Sequence, residues 1–116
     1  MRNQDQSSRL LLLISTRFVP REFALHQLLP APFGSTAAIM FDVPTMSLIT
    51  LKMYDILGNE VVTLAEGRAY EPGRYEERIE TSRLASGLYY YSFFAQGADE
   101  ESSIVYHDMR KMELLK

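Results

Sequence analysis

From Phe23 onward, apolar and polar residues alternate in short runs, and this alternation sets the expected fold. Ile39, Phe41 and Val43 interleave with Ala38, Met40 and Asp42 before Pro44 closes the run. Successive side chains of a strand point to opposite faces, so this is a strand with one apolar face. Ile49, Leu51 and Met53 repeat the pattern against Thr50, Lys52 and Tyr54. Asp55-Ile56-Leu57-Gly58-Asn59 reads as a turn in which Gly58 is free to take positive φ, and residues 61–64 follow as a short third strand. Glu71-Pro72-Gly73-Arg74 carries Pro and Gly at the two central positions of a type II turn. Residues 75–79 form the next strand, with Glu77 on a face otherwise expected to be apolar. Ser86-Gly87 breaks the chain before residues 88–95. There Tyr89, Tyr91 and Phe93 share one face, and Leu88, Tyr90 and Phe94 make the other apolar too, the mark of a strand central in its sheet. An acidic loop over residues 97–103 precedes two last segments, 104–106 and 109–116, in which Met112 and Leu114 form the final inward pair.

No stretch holds apolar residues at i, i+3, i+4 and i+7 between caps, so helices are not expected. About seven strands separated by turns predict an all-β protein, an antiparallel β-sandwich of two sheets. Residues 1–22 differ in character. The first eight are polar, residues 10–14 are an apolar patch, and Thr16-Arg17-Phe18-Val19-Pro20-Arg21-Glu22 reads as extended linker. The patch fits a strand, a helical turn or the frayed end of an upstream region. The expected organisation is therefore a linker, or the end of a missing upstream region, over 1–22 and one domain over 23–116.

Composition narrows the function classes. The chain has 116 residues, 47% hydrophobic and 23% charged, with a formal net charge of −3. One small core leaves little room for a deep pocket, and an acidic balance argues against nucleic acid as a partner. The absence of cysteine removes disulfides, thiolate nucleophiles and Cys-ligated zinc, without fixing the compartment. Residues 10–14 fall far short of the roughly 20 apolar residues that cross a bilayer and of a signal-peptide core of about 7–15. The chain is therefore expected neither to insert directly into a membrane nor to start its own export.

Candidate chemistry is sparse. His26 and His107 lack a second ligand at metal spacing. Ser86 lacks the first glycine of a nucleophile elbow, and Asp42, Asp55 and Glu80 read as turn residues rather than a catalytic pair. Asp99-Glu100-Glu101 lacks the alternating ligands of a calcium loop. The run Tyr89-Tyr90-Tyr91 is explained by alternating core and surface positions without a stacked ligand. No catalytic, cofactor-binding or metal site is expected.

Six motifs, in order and near the usual spacing, carry a resemblance. They are Phe23-Ala24-Leu25-His26-Gln27; Pro30-Ala31-Pro32-Phe33 with the strand ending at Pro44; Tyr54-Asp55-Ile56-Leu57-Gly58-Asn59-Glu60-Val61-Val62-Thr63-Leu64; Gly73-Arg74-Tyr75; Leu84-Ala85-Ser86-Gly87-Leu88-Tyr89-Tyr90-Tyr91; and Lys111-Met112-Glu113-Leu114-Leu115-Lys116. Together they make the chain resemble the C-terminal sorting domain of type IX secretion cargo, in its type A, immunoglobulin-like form. The usual Asn residues of the proline-rich turn are replaced by Leu28, Leu29, Ala31, Gly34 and Ser35. Glu77 and Ile79 replace residues usually apolar and aromatic. The connection from Ala95 to Arg110 is several residues longer than usual, with room to bulge or displace the last strand.

The resemblance implies a secretion address rather than an enzyme. A covalently attached N-terminal passenger, absent here, passes through the periplasm. Outer-membrane secretion machinery then captures the domain, and a surface sortase-like peptidase cuts ahead of it; position and exposure put that cut around Thr16 to Arg21 in this chain. The passenger ends at the cell surface or outside the cell. The family turn motifs fall on Pro32, Phe33, Tyr54, Asp55, Gly58, Gly73, Ser86, Gly87 and Tyr89, and translocon recognition on Lys111, Met112, Leu114, Leu115 and Lys116. On pattern alone those five are a closing strand with solvating lysines; the resemblance turns them into a recognition segment. Two other readings share parts of the pattern: an immunoglobulin-like module of the flagellar hook-capping type, and a carbohydrate-binding β-sandwich, which needs exposed coplanar aromatics.

Overall fold

The computed structural model describes residues 18–26, 36–98 and 104–115. Among them there are seven strands and no helix: β1 Ala24–His26, β2 Thr36–Val43, β3 Ser47–Asp55, β4 Glu60–Tyr70, β5 Gly73–Glu80, β6 Gly87–Gly97 and β7 Val105–Leu114. They form two antiparallel sheets, ordered β1-β2-β5 and β4-β3-β6-β7. The chain crosses between the sheets after β2, β4 and β5, which gives the interlocked connections of an immunoglobulin-like sandwich.

The alternation accounts for the core. Ile39, Phe41 and Val43 of β2 face Ile49, Leu51 and Met53 of β3 and Tyr91, Phe93 and Ala95 of β6, all at most 1% exposed. Phe41 is the hub, its ring 5.0 Å from Phe93 and edge-on to Tyr70 at 5.2 Å. β6 lies between β3 and β7, as its two apolar faces require. The Tyr89, Tyr91 and Phe93 row is buried, which excludes it as a sugar-binding platform.

Three elements differ from the alternation reading. β4 runs eleven residues rather than four, because its second half, Glu66 to Ala69, is exposed and polar yet keeps pairing with β3 across register shifts. Pro72 and Gly73 do not make a type II hairpin. Gly73 has φ 156°, far from the roughly +80° of that turn, and begins β5, so the segment is the corner where the chain changes sheets. The two closing segments are one strand, β7, whose pairing with β6 is unbroken from Val105 to Leu114. The long connection therefore leaves the last strand neither bulged nor displaced.

Glu77 does face inward, where its Oε2 accepts a 3.0 Å hydrogen bond from Tyr70. Burial, reinforced by that carboxylate, pushes the Tyr70 hydroxyl up to about 12.

Two corners use one device. Tyr75 donates to the Glu71 carbonyl at 2.6 Å, and Tyr89 to the Ala85 carbonyl at 2.7 Å. In each case a glycine two residues earlier opens the strand and the tyrosine reaches back four residues. The second sits where the chain enters β6, the position of the tyrosine corner in immunoglobulin-like sandwiches.

Candidate functional site

The closing motif lies on β7, which is an edge strand: β6 pairs with one side and no strand pairs with the other among the described residues. Met112 and Leu114 point inward and are 2% and 1% exposed. Lys111 and Glu113 face out on the opposite side, and Leu115 is 64% exposed just beyond the strand. Lys116 lies outside the described residues. Burying Met112 and Leu114 anchors the strand, each at about 1.5–3 kcal/mol, and thereby fixes which groups face outward.

The main chain of β7 has a definite polarity. Gly97 donates to the Ile104 carbonyl at 3.0 Å, so the rung just beyond the ladder is a hydrogen-bonded pair. Hydrogen-bonded and non-hydrogen-bonded pairs alternate along an antiparallel ladder. With the register unbroken, the even residues Tyr106 to Leu114 bond to β6, and the odd ones direct N–H and C=O to the open side. Met109 agrees, because its N–H is bonded at 2.8 Å to the carboxylate of Asp108 rather than to β6. Asp108 Oδ2 also lies 3.5 Å from both Arg110 Nε and the Tyr106 hydroxyl. No sequence signal marks Asp108, since its role depends on which way the neighbouring N–H points.

The family turn residues build the frame behind this strand. Asp55 holds the turn after β3: its Oδ1 accepts from the N–H groups of Leu57 and Asn59 at 3.0 and 2.9 Å. Those bonds, led by the one from Asn59, hold its carboxyl below the usual range. Gly58 closes the turn at φ 89°, a conformation costly to side-chain-bearing residues. The turn displays Ile56 and Leu57 to solvent, and Asp55, Ile56 and Gly58 line an open recess of about 350 Å3 together with Tyr54, Tyr90 and Met109. Gly73 opens the first tyrosine corner, and Gly87 and Tyr89 form the second, with Ser86 exposed at its approach. Pro32 and Phe33 lie outside the described residues, as do residues 1–17 and 99–103.

A second cluster fixes the entry to the domain. Asp42 is buried in β2 rather than in a turn, and grips Arg74 through both oxygens, Nε to Oδ1 at 2.7 Å and Nη2 to Oδ2 at 3.1 Å. His26 Nε2 lies 3.0 Å from the same Oδ2. The held guanidinium lies 4.5 Å from the Phe18 ring centre, and Pro20 is buried. Burial pushes the Asp42 carboxyl up, but the bonds and charges of Arg74 and His26 outweigh it and leave it below its ordinary value. A lowered folded-state value means that the unfolded chain takes up the proton first. The contribution is thus present above about pH 4 and lost as pH falls through the folded value. In thermal unfolding from pH 7 down to pH 2.5, Asp42→Asn is expected to start less stable and to lose less below pH 4 than the unsubstituted domain. Parallel curves would contradict this role.

Among the described residues no three His, Cys, Asp or Glu side chains are grouped to hold a metal ion, and no helix is long and apolar enough to cross a membrane. Among the described residues the sandwich keeps a regular open edge along β7. The family described as Secretion system C-terminal sorting domain matches residues 27–106. That is more than half of the chain, and the chain belongs to this family: it is a sorting domain of type IX secretion, which directs an attached passenger across the outer membrane to the cell surface. The family is not a catalytic one. The match ends before residues 111–116. No curated protein and no solved structure matches.

Proposed function

We propose that this domain, residues 23–116 with Phe18 to Glu22 as its clasped entry, is read by the secretion machinery through its last strand. In this reading Lys111, Met112, Leu114, Leu115 and Lys116 form the recognition segment. The observation that carries it is the split of the segment into two faces. Met112 and Leu114 are locked in the core, while Lys111 and Leu115 are presented on an edge. A receptor serving unrelated passengers needs a handle that folds by itself and offers the same geometry each time. Main-chain edge groups and alternating side chains meet that need. The domain acts as an address and carries out no catalysis. The domain and its attached passenger cross the periplasm together, and a surface sortase-like peptidase cuts ahead of the domain, around Thr16 to Arg21.

The test is a fusion of residues 18–116 behind an exported fluorescent protein in a host with type IX secretion, with and without residues 111–116. Surface fluorescence is expected from the full domain and periplasmic retention from the shortened one. Display that survives loss of the tail would overturn the recognition segment, and retention of both would count against this domain's competence as an address.

A further inference from the structure

The four sheet edges among the described residues are not equivalent. β1 has only three residues. β4 is broken by register shifts against β3 and by Gly67 at φ 60°. β5 presents Arg74, Glu76, Arg78 and Glu80 in alternating sign along its outer face, a pattern that discourages pairing. β7 has ten residues, no proline and an unbroken register. Among the described residues it is the edge most fit to accept another strand, and its row of outward donors is interrupted at Met109. The Asp108 carboxylate occupies the Met109 N–H, a donor that an incoming strand would otherwise take. The edge is thus closed at its middle. On the C-terminal side of the plug, Glu113 carries open-side main-chain groups, and Leu115 continues the alternation.

Resting on the reading that the last strand is the recognition segment, we propose that the receptor binds by β-augmentation. An extended segment of the secretion machinery pairs through its main chain with β7 on the C-terminal side of Asp108, centred on Glu113, and Asp108 sets the upper limit of the pairing. The occupant is a polypeptide strand, because an edge of main-chain donors and acceptors alternating with side chains is what a strand reads. The Asp108 plug also leaves a passing β-strand of another copy less continuous edge to add to, the hazard of any exposed edge. Side chains opposite one another across a new pair would lie on one face, so an acidic group on the partner beside Lys111 and a basic one beside Glu113 suit this edge.

Proline tests it, because it removes one N–H donor and is tolerated at strand edges when that N–H points outward. Glu113→Pro, Glu113→Ala and His107→Pro are compared in the fluorescent fusion beside the fusion lacking residues 111–116. Surface display is expected to fall about ten-fold for Glu113→Pro and to hold for Glu113→Ala and for His107→Pro, which lies on the other side of the plug. Circular dichroism reports folding; if Glu113→Pro does not fold, Leu115→Pro, beyond the last ladder pair of Gly87 with Leu114, takes its place and is read against Leu115→Ala, so that loss of the N–H is separated from loss of the side chain. Equal losses from Glu113→Ala and Glu113→Pro would assign recognition to the side chain and overturn augmentation. Loss from His107→Pro would overturn the limit set by Asp108. Full display of every proline variant, with the shortened fusion retained, would overturn augmentation and leave the recognition segment standing. Display of the shortened fusion would remove both.

Discussion

Leu114→Asp is expected to abolish surface display and to destabilise the isolated domain by about 3–5 kcal/mol, whereas Leu115→Asp abolishes display with a stability change within about 0.5 kcal/mol. The two residues are neighbours, but Leu114 is 1% exposed and Leu115 is 64% exposed. A carboxylate at Leu114 either stays charged against the apolar core or takes up a proton at a cost in free energy, and it also vacates the volume of a leucine. Releasing the strand end from the core relieves both penalties, so the last rungs with β6 give way. Leu115 incurs neither penalty, and its effect on display reads recognition alone. Urea unfolding of residues 18–116 together with the fluorescent fusion measures the two separately. If Leu115→Asp is displayed normally, its side chain has no part in recognition; if Leu114→Asp keeps full stability, the inward face of β7 is misassigned.

Phe41→Ala is expected to cost about 3–5 kcal/mol in the same unfolding experiment. Phe41 is fully buried, and its ring meets Tyr70, Tyr75 and Phe93 at centroid distances of 5.2, 5.6 and 5.0 Å. It therefore joins β2 and β5 to β4 and β6 across the layers. Truncation removes buried apolar area and leaves a cavity that three rings held by separate strands are poorly placed to fill. Domains of this size have only about 5–15 kcal/mol in total, so the loss is a large share. A change below about 1 kcal/mol would mean that the sheets are not packed through this residue.

The strands whose faces are cleanly divided are legible in the alternation itself. β2 and β3 alternate apolar with more polar residues, β6 is apolar on both faces, and each folds with the expected row inward. β7 is only half legible, because its inward row holds Asp108 and Arg110 between Tyr106 and Met112. That polar stretch interrupts the alternation and splits one strand into two apparent segments. β4 outruns its apolar signal for a related reason: strand pairing with β3 continues where Glu66 to Ala69 give no such signal. Pro72-Gly73 has the local chemistry of a tight turn, and only the partition of β4 and β5 into different sheets turns it into a corner. The Asp42, Arg74 and His26 cluster is illegible in principle, since its members come from three strands brought side by side by register. The anchored closing pair, Met112 and Leu114, is readable from alternation; the Asp108 plug is not.

The most direct test of the central claim places a photo-crosslinking amino acid at Leu115 or at Arg78, on the outer face of β5, in the secreted fusion within living cells. The expected result is an adduct with an outer-membrane secretion component from position 115 and none from position 78. An adduct from position 78 alone would contradict the account and put the read surface on the other sheet.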